Sequence, residues 1–185
     1  FRPLKGFFLY IQRLLLWALA LLGLLFILNV HIYLGLVMFV EQWVGLFLSF
    51  FLMLTFLSVP SSNKAAADRL PWYDIILFLL SLPAGFWISV NYASIIYEFG
   101  QVNLERMIVG SIAVLLILEA ARRLIGLTLV IIAIVALLYG NFSEYLPGFL
   151  AGQPLTWGRL VNYLYLDPNS ILGMLSLAAT VGFGF

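Results

Sequence analysis

The chain has no cysteine, a single histidine and very little charge. Without cysteine there is no disulfide, no thiol nucleophile and no thiolate metal site. His31 by itself cannot build a multi-histidine site, and an interface hydrogen bond is the better expectation for it. Charged residues are 9% of the 185, against about 25% in a soluble globular domain. Eight acidic and nine basic side chains are too few to cover a water-facing surface of this size. A lipid-facing surface needs no such cover. The net charge of +1 supplies no basic patch or stripe, so no nucleic-acid partner is expected. The sequence also lacks a G-x-x-x-x-G-K-S/T loop, an H-E-x-x-H pair and a nucleophile elbow. No catalytic, cofactor-binding or metal residue is therefore assigned, and an enzyme is not expected.

What is present is apolar sequence in long runs: 64% of the residues are hydrophobic. A bilayer core of roughly 30 Å is crossed by about 20 mainly apolar helical residues. On that measure the expectation is an all-α, polytopic helical membrane protein with about five complete transmembrane helices and a truncated sixth segment. The first span runs from about Leu9 to Val30 and the second from about Leu36 to Val59, joined by a very short turn. A loop bracketed by Pro60 and Pro71 follows. The third span, about Trp72 to Tyr97, contains Pro83 and Gly85 and is expected to kink. Arg122-Arg123 is read as the separator between a fourth span, about Met107 to Ala121, and a fifth, about Leu124 to Tyr139. A single long helix is rejected because two unpaired arginines at mid-membrane are expensive.

From Gly140 to Gly158 a second loop carries Pro147, Gly148, Gly152 and Pro154. A helical stretch from Trp157 to Leu166 follows. Asp167-Pro168-Asn169-Ser170 then opens another apolar segment, with Asp167 or Asn169 as its cap and Pro168 in its first turn. Tyr139, Tyr145, Trp157, Tyr163 and Tyr165 cluster as aromatic residues do at the headgroup level. Residues 1–140 hold the five complete spans and lack the buried acidic and basic groups expected of an ion-translocating core, so they are read as a scaffold region. Residues 141–185 are read as an external loop, an interfacial helix and the start of a further domain. Phe1 and the apolar Val181 to Phe185 both look like cut edges, so a longer native protein is expected. Placing the N-terminus in the cytoplasm puts Arg2, Lys5, Arg13, Lys64, Arg69, Arg122 and Arg123 inside, with only Arg106 and Arg159 outside. That is the distribution orientation requires.

Five residues are candidates for structural or interface roles. Glu119 lies three and four residues before Arg122 and Arg123, on the same helix face as both. The group either forms an interfacial ion pair that sets the depth of the spans or contacts a neighbouring domain. Asn91, inside the third span, either joins helices or lines a path. Glu41 is either a headgroup-level carboxylate or a contact to a partner domain. Ser81 to Gly85 supplies small residues for close helix approach. Asn141-Phe142-Ser143 matches a glycosylation acceptor, relevant only in a eukaryotic secretory setting.

Leu118-Glu119-Ala120-Ala121-Arg122-Arg123-Leu124-Ile125-Gly126 resembles a pattern, L-E-A-x-R-R-x-x-G, of the fused membrane permeases of tripartite ATP-independent periplasmic (TRAP) transporters of the TAXI-associated type. Tyr139 closing the next span, Leu146-Pro147-Gly148, Arg159 to Tyr165 and Ile171-Leu172-Gly173 extend the resemblance in order, and Tyr73-Asp74 fits it more loosely. Asp167 to Ser170 departs from it, where the family has a more glycine-rich approach to its transport domain. The resemblance implies a sodium-coupled secondary importer of organic acids or similar solutes in a bacterial or archaeal cytoplasmic membrane. Its implied partners are the lipid bilayer, a fused or associated large transport domain and a periplasmic solute-binding protein. This chain would be the small Q-type region with the start of the M-type domain. Sodium is expected only in the transport domain outside it. A standalone membrane subunit or assembly factor without transport activity is the alternative.

Overall fold

The computed structural model describes residues 1–185 except 1, 3, 5, 62–69, 99–100, 149–150, 154, 168–169, 172 and 175–185. Helices appear where the apolar runs lie: α1 Phe7–Ile27, α2 Val30–Tyr33, α3 Val40–Ser58, α4 Trp72–Tyr97, α5 Leu104–Leu124, α6 Leu127–Phe142 and, after a 3-10 turn at Ser143–Tyr145, α7 Trp157–Leu166. Among the described residues the fold is all-α. Four stretches are long and apolar enough to cross a membrane: Phe7–Ile27, Val40–Ser58, Trp72–Tyr97 and Leu127–Tyr145. At 1.5 Å per residue α5 has similar reach, about 31 Å, but it carries Glu105 and Arg106 at one end and Glu119, Arg122 and Arg123 at the other. Several long apolar helices in an all-α fold are what a polytopic helical membrane protein has. Lys5, Lys64, Arg69, the centre of the Pro60 to Pro71 loop, Pro168, Asn169 and nearly all of the last apolar segment lie outside the described residues.

α3 is the axle of the bundle. Val44, Leu48, Leu52 and Phe56 repeat every four residues along it, so they share one face. They meet Ala84, Ile88, Tyr92 and Ile95 of α4, with Ala113, Leu116 and Ala120 of α5 and Tyr165 and Leu166 of α7 closing the same core. On another face Met53 and Leu57 hold Leu15 of α1. α1 and α6 lie at the periphery and expose rows of leucine, isoleucine and valine, as a lipid-facing surface requires.

Hydrophobic burial supplies little drive between helices in a bilayer, so close backbone approach and hydrogen bonds carry the pairing of α3 and α4. A Cβ added at Gly45 would stand 2.6 Å from the Gly85 carbonyl oxygen, and one at Gly85 would stand 2.7 Å from Ser49 Oγ. Ser49 Oγ donates to the Leu82 carbonyl at 2.9 Å. Gln42 Nε2 donates to the Ser89 carbonyl at 2.7 Å, and Ser89 Oγ returns a bond to the Gln42 carbonyl at 2.6 Å. The small residues around Pro83 thus sit at the helix crossing. α4 runs through Pro83 as one helix, and the carbonyls on either side of the proline receive hydroxyls from α3 and α7.

Three expectations are corrected. The second span begins at Val40, because Leu36 to Phe39 is not helical, Phe39 is extended, and Gln42 Oε1 accepts the Phe39 N–H at 2.9 Å. The break between α5 and α6 falls at Ile125-Gly126, not at Arg122-Arg123: the arginines remain in the last turn of α5, where they find partners, and Gly126 at φ 114° makes the turn. Tyr165 is a core residue, not a headgroup-level one: it is 1% exposed and its hydroxyl donates to the Ala84 carbonyl.

Gly85→Ala is expected to force α3 and α4 apart and to cost about 1–3 kcal/mol, the usual cost of overpacking. Gly140→Ala meets only the flexible Leu160 Cδ1 at 3.3 Å and is expected to be nearly neutral. Thermal unfolding of the two variants in detergent checks this; equal midpoints would refute the close crossing as a source of stability.

Candidate functional site: a charge cluster at one end of the bundle

Asp74 lies in the first turn of α4, where the helix dipole favours a carboxylate. Its side chain has no exposure to solvent. Arg2 Nη2 reaches Asp74 Oδ2 at 2.8 Å, and Arg123 Nη2 reaches Oδ1 at 2.7 Å. Both arginine side chains are as buried as the carboxylate between them. Arg123 continues the chain through Nε to Glu119 Oε1 at 2.8 Å. Glu119 accepts a second arginine as a fork, from Arg122 Nε at 2.7 Å and Nη2 at 2.8 Å. Three guanidiniums and two carboxylates form one connected group with a net charge of 3 − 2 = +1.

The group spans elements far apart in sequence. Arg123 Nη1 donates to the Val59 carbonyl at 2.9 Å and Arg122 Nη1 to the Ser61 carbonyl at 3.2 Å, both just past the end of α3. The Arg2 backbone N–H donates to the Ser58 carbonyl at 2.8 Å, and Gln12 Nε2 of α1 donates to Ser58 Oγ at 2.9 Å. The Arg123 guanidinium also lies over the Phe56 ring, 5.0 Å from its centroid. The N-terminal segment, the end of α3, the start of α4 and the end of α5 are therefore held at one end. Carbonyls left over past the end of α3 take N–H groups from Arg122 and Arg123 there, while Arg2 Nε and Nη1 are buried without a partner among the described residues.

Glu119, Arg122 and Arg123 thus come together, and two further members, Asp74 and Arg2, were not among the candidates. Asp74 carried a signal, an acid in the first turn of an apolar helix. Arg2 carried none beyond its charge, since its partner lies 72 residues away. The other candidates stand apart from this cluster. Asn91 Nδ2 donates to the Trp87 carbonyl of its own helix at 3.0 Å. Glu41, in the first turn of α3, sits beside the Tyr92 hydroxyl at the opposite end. There Arg106 Nη2 pairs with Glu98 at 2.7 Å, and Nη1 donates to the carbonyls of Glu98 and Gln101. His31 lies against Trp43 with tilted rings, centroids 5.6 Å apart. Among the described residues no three His, Asp or Glu side chains gather as a metal site.

Arginine keeps its charge at any physiological pH, so the cluster is suited to fixing helices in place rather than to passing protons. No family model, curated protein or solved structure matches this chain.

The cost of breaking the cluster is expected to follow burial. Asp74→Asn leaves two buried guanidiniums without their shared carboxylate, and about 3–5 kcal/mol is expected. Glu119, 25% exposed, is expected to cost less when changed to Gln. Arg122, 34% exposed, is expected to cost about 0–1 kcal/mol when changed to Gln, because solvent screens it. Folded yield and thermal midpoint, with the Asp74→Asn/Arg123→Gln double variant to show partial rescue, check this order; Asp74→Asn no worse than Arg122→Gln would overturn it.

Proposed function

We propose that this chain is the membrane scaffold region of a TRAP-type secondary transporter, one that imports organic acids or related small solutes with sodium as coupling ion. The single observation that supports a bracing role is the five-residue charge cluster, whose buried charges are engaged in tying helices to one another. Fixed arginine charge at the end of a bundle braces; it does not translocate. The family itself rests on the ordered resemblance from Leu118 onward. In this reading α5 is a fifth crossing, residues 1–140 are the scaffold, and residues 141–185 lead into the transport domain that holds the substrate and sodium. A periplasmic binding protein delivers the solute.

The orientation belongs to the same proposal. Contacts gather Arg2, Arg122 and Arg123 at one end and Arg106 at the other. The excess of basic residues makes the first end cytoplasmic. A cysteine at Ala66, in the loop between the prolines, is expected to be protected from an impermeant reagent in intact cells, and one at the exposed Glu144 to be labelled. Glu144 serves better than its neighbour Ser143, which is buried. The opposite labelling pattern would reverse the orientation.

The 185-residue chain in liposomes under an imposed sodium gradient is expected to drive no uptake of any organic acid. Gradient-driven uptake by the chain alone would sink the scaffold reading. In the full transporter, Asp74→Asn is expected to reduce folded yield while uptake per folded molecule stays near wild type. Abolished uptake at normal yield would instead place the cluster in the transport step. A coding sequence that ends just after Phe185 would favour the standalone subunit.

A further inference from the structure

At the end of the bundle opposite the charge cluster, residues 28–39 join α1 to α3. No Asp, Glu, Lys or Arg stands anywhere between Arg13 and Glu41, so this connection is as free of charge as the span before it. The bundle does not shelter it. Ile32, Leu34 and Leu36 are exposed, and Tyr33 and Val37 are 86% and 89% exposed. They continue the exposed surface that α1 presents at Leu21 and Leu24. The backbone of the connection is also closed on itself. The N–H groups of Leu28 and Asn29 reach the Leu24 and Phe26 carbonyls at 3.0 and 3.1 Å, those of Ile32 and Leu34 reach Asn29 and Val30 at 2.9 and 3.1 Å, and those of Gly35 and Leu36 reach Ile32 and His31 at 3.0 and 2.9 Å. Asn29 at φ 48° and Gly35 at φ 68° make the left-handed turns that this folding needs. Beside lipid, a backbone polar group must find its partner inside the protein, whereas a loop in water leaves such groups to solvent. The chain's single histidine, His31, lies against Trp43 of α3.

We propose that residues 28–39 are an interfacial anchor, lying along the headgroup–acyl boundary of the bilayer with Ile32, Tyr33, Leu34, Leu36 and Val37 set into lipid. α1 already has the length of a full crossing, about 31 Å for its 21 residues, and α3 begins its own crossing at Val40. The connection is therefore left at the membrane surface and not at its centre. Glu41, in the first turn of α3, marks the polar side of that level. Apolar side chains of an anchor enter roughly 5–10 Å into the boundary, and a tyrosine among them suits the same depth. A protein partner could also cover an apolar patch. Continuity decides for lipid: the face that α1 turns to acyl chains runs into the connection with no charged residue between them. This inference needs the membrane placement of α1 and α3 but not the transporter reading, so each fails independently of the other.

The chain has no cysteine, so Val37→Cys, Tyr33→Cys and, as a water-facing reference at the same end, Glu144→Cys each take one fluorescent label. The full 185-residue chain is placed in phosphatidylcholine liposomes with iodide on both sides. Quenching by iodide is compared with quenching by lipids spin-labelled near the headgroup or deep in the acyl chain. At Val37 and Tyr33 iodide is expected to quench about tenfold less than at Glu144, because an anion is excluded from apolar surroundings. The shallow lipid label is expected to quench more than the deep one. Val37→Asp is expected to raise iodide access at the Tyr33 label several-fold, by making insertion costly. Wild-type helicity is required of each variant; both labelled positions lie on the surface, and if one variant misfolds the other position decides. Iodide quenching equal to that at Glu144 would overturn the proposal and leave the patch to a protein partner. Stronger quenching by the deep label would overturn the interfacial depth. Shielding from iodide and from both lipid labels would overturn lipid as the occupant in favour of a second copy of the chain.

Discussion

Asp74 has no contact with solvent, and neither do the arginines on its two sides. A lone buried ion of either sign is costly by several kcal/mol even after relaxation. The three charges therefore make sense only together, and their positions constrain everything around them. Arg123 can reach Asp74 only if the last turn of α5 stands beside the first turn of α4. Arg2 can do so only if the segment before α1 folds back over the end of α3. Glu119 and Arg122 extend the chain of pairs towards the solvent, where partial exposure relaxes the demand. One end of the bundle is thus specified by electrostatics in a medium that gives apolar side chains little reason to prefer one neighbour over another.

The other constraint is steric and acts further along the same helices. Gly45 and Gly85 let the backbones of α3 and α4 approach until serine hydroxyls reach across to carbonyls. Gly110 does the same for α5 and α7. Close helix approach and charge pairing at one end tie α3, α4 and α5 together, and α1 and α6 add mainly exposed apolar surface. One opening lies where α7 meets the end of α4 and the start of α5.

Much of this was legible in the amino-acid order. Apolar runs of about 20 residues between prolines, glycines and charges locate membrane helices with no knowledge of their neighbours, because bilayer thickness sets the length. The i, i+3 and i, i+4 spacing of Glu119 with Arg122 and Arg123 is local, and the helix delivers it. The small residues around Pro83 were visible for the same reason.

What lay beyond the sequence was every feature that depends on a distant partner. Arg122-Arg123 reads as a break between spans because two unpaired arginines do not belong in a helix within the membrane. Tertiary structure removes the premise: Glu119, Asp74 and the carbonyls of Val59 and Ser61 answer both guanidiniums. The turn then falls to Gly126, whose positive φ suits it. Tyr165 reads as a headgroup-level ring until α7 folds it against Ala84. Helix position and length are local properties of hydrophobicity and backbone hydrogen bonding, so the sequence determined them. The partner of each buried charge, and hence which ends of which helices meet, depends on side chains 49 to 72 residues apart; no local periodicity encodes that pairing, and only the folded bundle decided it.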